Sequence, residues 1–142
     1  MNDNHYQQNL YMKINLTITG CMGRMGQQLI KSSNKNKNFK LVSLTENFRI
    51  NKKINNILPE FNNVNSFKKT NVIIDFTIPK CTLEVLKIAS KLGKRVVIGT
   101  TGFTKSQENL IKKYSKIIPI LKAGNMSLGI NLLMYLTEIT SK

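Results

Sequence analysis

Seven residues near the start of the chain, Gly20 to Gly26 (GCMGRMG), could hold a diphosphate with backbone groups alone. They directly follow a short apolar run, Lys13 to Thr19. A strand that passes through a glycine turn into a helix directs backbone N–H groups at an anion, and the helix N-terminus adds positive potential. Glycine permits a positive φ and a close backbone approach to phosphate. The spacing, a GxxGxxG variant of GxGxxG, predicts a phosphate-binding turn, although an ordinary glycine turn would also fit it.

A carboxylate farther along the chain favours the phosphate-binding turn over an ordinary glycine turn. Glu46 lies twenty residues after Gly26, at the end of a second apolar run, Leu41 to Leu44. In dinucleotide-binding folds an acidic residue about there accepts hydrogen bonds from the adenosine ribose. Together the turn and Glu46 predict a dinucleotide site.

Size and composition suit one compact domain. The chain has 142 residues, 41% of them hydrophobic, and no apolar run long enough to span a bilayer. The polar segment Met1 to Tyr11 lacks the basic stretch followed by an apolar stretch that a secretory signal has. We expect residues 1–12 to be a disordered extension, and Met12 is an alternative start of the chain. Two isolated thiols, Cys21 and Cys81, fit a reducing cytoplasm, and no Cys/His cluster predicts a metal site.

The formal net charge of +15 raises a different class of function. Positive charge of this size can attract nucleic acid or an anionic membrane. The lysines are scattered along the chain, and Asn, Lys and Ile are heavily used throughout, which indicates a compositional bias. Readers of bases or single strands favour arginine and interleaved aromatics. A basic nucleic-acid-binding domain therefore stays as the weakest alternative.

Apolar runs alternate with amphipathic stretches, which predicts parallel strands joined by helices in a doubly wound sheet. Gly93 closes one helix, and Thr104 with Gln107 has the form of a capping box. The predicted strands are 13–19, 40–45, 72–76, 95–98 and 117–121; the predicted helices are 23–33, 80–92, one to about Ser115, and a last one capped by Asn125 or Ser127.

The segment 47–70 is the least legible, because it is rich in Asn and Lys and contains Pro59. Ile50, Ile54, Ile57 and Leu58 keep helical spacing, so a short helix is one expectation there.

Five segments fall where ligands sit in such a sheet, at the carboxyl ends of strands. The set resembles the amino-terminal nucleotide domain of the dihydrodipicolinate reductase family, from about Met12 to Lys142. The resemblance implies a Rossmann-type doubly wound domain over 13–142 that ends near the family's domain junction. The segments are 20–26, Glu46, 75–79 (DFTIP), 99–103 (GTTGF) and 125–131 (NMSLGIN).

The resemblance also implies roles for individual residues. Thr101 is expected to face the substrate beside the nicotinamide, and Glu46 to bind the adenosine ribose, which favours NADH. Family members often have an arginine directly after this acid for the 2′-phosphate of NADPH, but Asn47 and Phe48 follow here. Arg49, Lys52 or Lys53 could substitute, so the resemblance allows NADH or NADPH. The implied cofactor-binding residues are Gly20, Cys21, Met22, Gly23, Arg24, Met25, Glu46, Gly99, Thr100, Thr101, Ala123, Gly124, Asn125 and Met126.

The activity that the resemblance implies is the NAD(P)H-dependent reduction of 4-hydroxy-tetrahydrodipicolinate to tetrahydrodipicolinate, in diaminopimelate and lysine biosynthesis in the cytoplasm. In the family, a second α+β domain supplies the dicarboxylate pocket, a histidine-rich proton-donating segment and tetramer contacts. The chain's one histidine is His5, so that domain and the catalytic residues are expected to be absent and the chain inactive alone. A non-catalytic dinucleotide-binding remnant, or a subunit of a split enzyme, is the alternative.

Overall fold

The computed structural model describes residues 13–126 and 128–140, and in these ranges strands and helices alternate. The five strands are β1 (Ile14–Thr19), β2 (Phe39–Thr45), β3 (Val72–Asp75), β4 (Arg95–Ile98) and β5 (Ile120–Lys122). The five helices are α1 (Arg24–Lys35), α2 (Val64–Lys68), α3 (Pro79–Leu92), α4 (Lys105–Ser115) and α5 (Leu128–Thr140).

All strand pairs are parallel, and the sheet has the order β2-β1-β3-β4-β5. The chain leaves β1 in one direction to form β2 and then returns to the other side of β1 for β3. The strand order therefore reverses between β1 and β3, and a crevice opens outside the carboxyl ends of strands at such a point. Thr19, Asp75 and Ile98 are in register there, so the segments after β1, β3 and β4 start side by side.

Two apolar clusters hold the helices to the sheet. Ile18, Ile30 and Leu44 join α1 to β1 and β2. Ile73, Leu86 and other buried side chains join β3 and β4 to α2, α3 and α4. Burial of such aliphatic side chains stabilises a fold by about 1.5–3 kcal/mol each. The doubly wound parallel sheet that the sequence predicts is confirmed.

Most predicted elements are confirmed, with small shifts at their ends. The predicted helix 23–33 begins at Arg24 and continues to Lys35. Gly93 ends α3 in the left-handed conformation, and the Thr104–Gln107 capping box opens α4. The predicted strand 117–121 starts too early, because the N–H groups of residues 117 and 118 both donate to the carbonyl of Tyr114 and extend the end of α4.

The helix expected from Ile50, Ile54, Ile57 and Leu58 is wrong. Ile54 and Ile57 instead exchange backbone hydrogen bonds across a tight turn, with both at 2.8–2.9 Å. The turn residues Asn55 and Asn56 have φ of 51° and 62°, a region that Asn tolerates better than most residues. Ile54 and Ile57 pack against the α1 cluster, so their spacing reflects burial by a turn. The short helix of this segment is α2, farther along.

The last helix forms as expected, but its apolar stripe is exposed: Leu132, Leu136 and Ile139 each keep about half of their surface in contact with solvent. Ser127, one of its two predicted caps, and the predicted extension 1–12 lie outside the described residues. Among the described helices, none is long and apolar enough to cross a membrane.

Candidate functional site

A cleft runs across the carboxyl edge of the sheet and consists of two neighbouring cavities. The first, here called the Glu46 cavity, has a volume of about 430 Å³ and includes Gly20, Met22, Glu46, Phe48, Asn62 and Cys81 in its wall. The second, the Thr101 cavity, includes Arg24, Met25, Pro79, Gly99, Thr100 and Thr101. Gly23, Phe76, Thr77 and Ile78 line both, so the two cavities adjoin at the end of β3.

The glycine turn between β1 and α1 packs too closely for side chains. Gly20 has a φ of +66°. A Cβ on Gly26 would lie 2.2 Å from the carbonyl oxygen of Gly20 and 2.8 Å from the Cα of Cys21. Because these are backbone atoms, they cannot move aside without opening the turn. Gly26 therefore lets α1 start directly against the end of β1, as the third glycine of a dinucleotide motif does.

Hydrogen bonds inside the turn decide which N–H groups are left for a ligand. The N–H of Cys21 donates to the carbonyl of Thr45, and the N–H of Gly23 to that of Gly20. The first hydrogen bond of α1 runs from the N–H of Gln27 to the carbonyl of Gly23. The N–H groups before Gln27, in the first turn of α1, therefore have no acceptor within the helix. Gly23 is the N-cap and offers no side-chain bond to them. An anion in the cleft would therefore meet the N-terminus of α1.

Glu46 is held in place from two sides. One carboxylate oxygen accepts the N–H of Met22 at 3.0 Å, and the other accepts the N–H of Asn47 at 3.0 Å. A carboxylate has about four acceptor positions, so two remain. Glu46 lines the cavity, and its remaining acceptor positions suit the two hydroxyls of a ribose.

A chain of polar contacts that sequence reasoning missed fixes the far wall of the Glu46 cavity. The Thr45 hydroxyl donates to the Asn62 side-chain oxygen at 2.6 Å, and the Asn62 amide nitrogen lies 3.1 Å from the Cys81 sulfur. Burial raises the pKa of the Cys81 thiol. Asn62 carried no signal in the sequence, because it follows the positions with helical spacing in the segment 47–70. Phe48 and Ile78 are each more than half exposed and present apolar surface at this cavity.

Cys21, one of the predicted cofactor-binding residues, lines neither cavity of the cleft. The thiol is fully buried in the α1 cluster. Burial, with a further contribution from the negative charge of Glu46, raises its pKa to about 11. A neutral buried thiol behaves as a small apolar side chain. Cys21 therefore contributes to the packing beneath the turn.

The Thr101 cavity is built on a close contact between two loops. A Cβ on Gly99 would lie 2.1 Å from the Phe76 ring, so only glycine allows the ring to lie against the end of β4. Thr100 is buried, and its hydroxyl donates to Asp75 and accepts the N–H of Thr77 at 2.9 Å. Thr101 is exposed at the cavity. Phe76 and Thr77 were in a segment that the sequence singled out, although not among its site residues.

The last predicted group, Ala123 to Met126, follows β5 at the same edge of the sheet but lines neither cavity. The N–H of Ala123 lies 3.4 Å from the carbonyl of Ile98, which places the group beside the end of β4. Nearby, Lys122 pairs with Glu108 and lies 5.1 Å from the centre of the Phe103 ring. Within residues 13–126 and 128–140, no three His, Cys, Asp or Glu side chains are grouped as metal ligands.

Comparison with known proteins agrees with this geometry. Residues 14–126 match a family model described as "Dihydrodipicolinate reductase, N-terminus". The matched range contains both cavities and every predicted cofactor-binding residue.

Individual relatives carry related names. The 4-hydroxy-tetrahydrodipicolinate reductase of Pelagibacter ubique (strain HTCC1062) is 74% identical over 130 residues, which cover 92% of this chain and 50% of that protein. The protein of that name from Buchnera aphidicola subsp. Acyrthosiphon pisum (strain 5A) is 41% identical over 145 residues, with 92% and 52% covered. The chain thus spans about half the length of the curated relatives it matches.

A solved structure shows the same likeness in three dimensions. The dipicolinate-bound dihydrodipicolinate reductase from Paenisporosarcina sp. TG-14 superposes with a TM-score of 0.76 at 27% identity, over 92% of this chain and 54% of that one.

Proposed function

Because the chain belongs to the dihydrodipicolinate reductase family, we propose that its carboxyl-edge cleft binds a nicotinamide dinucleotide. The observation that carries the proposal is the meeting of two features at one place. An uncapped helix N-terminus faces the cleft, and the Glu46 carboxylate is fixed beside it by the Met22 N–H. The first suits a diphosphate and the second a ribose.

The proposed pose runs along the cleft. The diphosphate lies at the N-terminus of α1, the adenosine ribose at Glu46, and the adenine against Phe48 and Ile78. The nicotinamide then lies in the Thr101 cavity beside Gly99, and Ala123 to Met126 close over its ribose and amide. The support is that the two cavities adjoin and share Gly23, Phe76 and Thr77 in their walls.

A bound reduced nicotinamide supplies a hydride, and the residues of this chain orient it. The Phe76 ring packed against Gly99 forms an apolar part of the cavity wall, and the exposed Thr101 marks the side from which a substrate would approach. Lys122 is engaged by Glu108 and Phe103, so we assign it no proton transfer.

For the whole protein we propose the reduction of 4-hydroxy-tetrahydrodipicolinate to tetrahydrodipicolinate in diaminopimelate and lysine biosynthesis. The names of the relatives support it, as does the dipicolinate, a planar dicarboxylate, that is bound to the solved relative. A homotetramer and a cytoplasmic location belong to the same proposal. We assign coenzyme binding to the described residues and the dicarboxylate pocket to the half of the relatives that this chain does not span.

We further propose that NADH is the preferred coenzyme. A 2′-phosphate would be placed beside the Glu46 carboxylate, and like charges repel. Of the cations that could offset this, Lys52 and Lys53 line a neighbouring cavity together with Lys31, and Arg49 lines neither that cavity nor the Glu46 cavity. All four side chains are exposed to solvent, so their screened attraction should be weaker than the adjacent repulsion.

The test is a fluorescence titration of the chain with NADH and with NADPH. We expect NADH to bind about tenfold more tightly, which corresponds to about 1.4 kcal/mol. Glu46→Gln should weaken NADH binding about tenfold, because the amide presents one acceptor oxygen where the carboxylate presents two. The same variant should reduce the difference in affinity between NADH and NADPH.

Glu60→Gln is the matched control. Glu60 is exposed, and its N–H and carbonyl pair with the backbone of Leu44 and Glu46, so the substitution leaves those contacts intact. Its NADH affinity should equal that of the wild type. A wild-type chain that is folded and binds neither coenzyme would contradict the proposed function, and equal losses in both variants would remove the role of Glu46.

A further inference from the structure

A fully buried carboxylate, Asp75, lies at the end of the central strand β3, beneath the cleft. In the described ranges, no lysine or arginine forms an ion pair with Asp75; the ion pair found in those ranges joins Lys122 and Glu108. An isolated buried carboxylate is costly unless hydrogen bonds replace its water. Such a group needs donors on both oxygens.

Four threonine hydroxyls supply those donors. Thr19 and Thr77 donate to one oxygen, the latter at 2.8 Å, while Thr82 and Thr100 donate to the other, the latter at 3.1 Å. They come from the end of β1, the β3–α3 loop, the first turns of α3 and the loop after β4. One side chain thus ties together four segments that border the cleft.

The direction of these bonds carries information. An ionised carboxylate only accepts hydrogen bonds, so each of the four hydroxyls donates to Asp75. Three of the four also lie 3.3–3.5 Å from a backbone carbonyl. Thr100 uses a lone pair to accept the N–H of Thr77. The N–H of Gly99 also donates to the backbone carbonyl of Asp75 at 2.8 Å. The wall of the Thr101 cavity is therefore fixed from both the side chain and the backbone of Asp75.

A simpler buried polar contact lies farther from the carboxyl edge of the sheet. There Thr17 and Thr70, both fully or almost fully buried, share one hydroxyl–hydroxyl bond. Neither threonine lines a cavity of the cleft, and the bond connects only these two side chains. At the carboxyl end, by contrast, Thr19 directly precedes Gly20, and Thr77 and Thr100 themselves line the cleft.

We propose that Asp75 is a positioning residue for the coenzyme: by accepting four threonine hydroxyls, it holds the diphosphate turn and the nicotinamide wall at a fixed separation. This inference rests on the proposed function, because the spacing matters only if one ligand spans both cavities. Small displacements of positioning groups can cost large factors in function.

The main variant is Asp75→Asn, which keeps the shape and removes the charge. Its amide nitrogen can only donate, so the two threonine hydroxyls that face this nitrogen must accept from it and give their own protons to other acceptors. We expect the dissociation constant for NADH to rise at least about tenfold, measured at a temperature where circular dichroism shows the variant fully folded. The fluorescence of saturated, bound NADH should also change, because the nicotinamide is displaced.

A gentler pair of variants decides the question if Asp75→Asn does not fold. Thr82→Val removes one donor without changing the side-chain shape, at a residue that lies beneath the cleft and lines neither cavity. It should weaken NADH binding about threefold, and Thr82→Ser, which restores the hydroxyl, should recover the wild-type value.

Thr17→Val is the control for stability alone. It also deletes one buried hydroxyl bond, so it should lower the melting temperature to a similar extent as Thr82→Val while its NADH affinity stays within twofold of the wild type. If the Asp75 and Thr82 variants likewise lose only melting temperature, Asp75 is structural and the inference is wrong. A folded wild type that binds no NADH would overturn the proposed function and this inference together, a pattern distinct from a binding wild type with unaffected variants.

Discussion

The N-cap residues of helices α1 and α3 line the cleft, and those of α2 and α4 do not; the two pairs of helices begin in different ways. At α2 and α4 the N-caps Asn63 and Thr104 each form a complete capping box with the residue three positions later. At α1 and α3 the N-caps are Gly23 and Ile78, and neither makes a side-chain cap.

The difference follows from what each helix end faces. The first N–H groups of a helix need acceptors, and a capping side chain supplies one at a gain of about 1 kcal/mol. A cap at the cleft would occupy the same N–H groups that a bound anion needs. The chain therefore caps with side chains the two helix ends whose N-caps lie outside the cleft, and leaves without a side-chain cap the two that line it, including the α1 end where a diphosphate is proposed to bind.

The largest expected effect comes from filling the space under the uncapped end of α1. Gly26→Ala places a methyl group 2.2 Å from the Gly20 carbonyl oxygen, against backbone that cannot yield. We expect the free energy of unfolding to fall by about 3 kcal/mol and NADH binding to be lost, measured by urea denaturation and fluorescence titration.

Gly93→Ala separates this steric effect from a general cost of replacing glycine. Gly93 ends α3 with a φ of +63°, and nothing lies within 4 Å of its would-be Cβ. Its variant should lose only about 1 kcal/mol and bind NADH normally. Wild-type binding by Gly26→Ala would mean that the close approach of α1 to β1 is not needed for the site.

The sequence predicted this turn well because its requirements are local. Glycine spacing, the preceding strand and Glu46 are read within about thirty residues, and the structure brings Met22 and Glu46 into direct contact. The capping box of α4 and the glycine end of α3 were predicted for the same reason.

What the sequence did not predict depends on contacts between distant segments. Asn62 reaches the Glu46 cavity because the backbone of Glu60 forms hydrogen bonds with Leu44 and Glu46 at the end of β2. No local sequence pattern predicts this pairing. The four isoleucine and leucine positions from 50 to 58 looked helical because burial by a turn can imitate a helical period. Thr100, predicted to touch the cofactor, uses its hydroxyl for Asp75, which only the three-dimensional network reveals.

A smaller effect on NADH binding is expected from giving α1 a side-chain cap, which tests the comparison between capped and uncapped helix ends directly. Gly23 has φ −66° and ψ 161°, which suits an N-cap residue, and a Cβ there would lie 3.3 Å from the Gly20 oxygen. Gly23→Asp should leave stability within about 1 kcal/mol of the wild type, because Asp is a good cap but the new Cβ is tight. It should weaken NADH binding about thirtyfold, since its carboxylate takes the N–H groups and repels the diphosphate.

Gly23→Asn is the matched control for that variant, because it has the same shape without the charge. It should weaken NADH binding less than Gly23→Asp does, and the difference between the two should shrink as salt is added. Unchanged affinity in both variants would show that the N-terminus of α1 does not hold the diphosphate.

The smallest effect is expected from the reverse experiment, the removal of a side-chain cap that lies outside the cleft. Thr104→Ala deletes the hydroxyl that accepts the N–H of Gln107, so we expect a loss of about 1 kcal/mol in the free energy of unfolding. NADH affinity, measured where the variant is fully folded, should not change, because the α4 cap lines neither cavity. Gln107→Ala removes the reciprocal half of the same box and should reproduce this result. If either variant bound NADH much more weakly, the division between helix ends that serve folding and helix ends that serve binding would not hold.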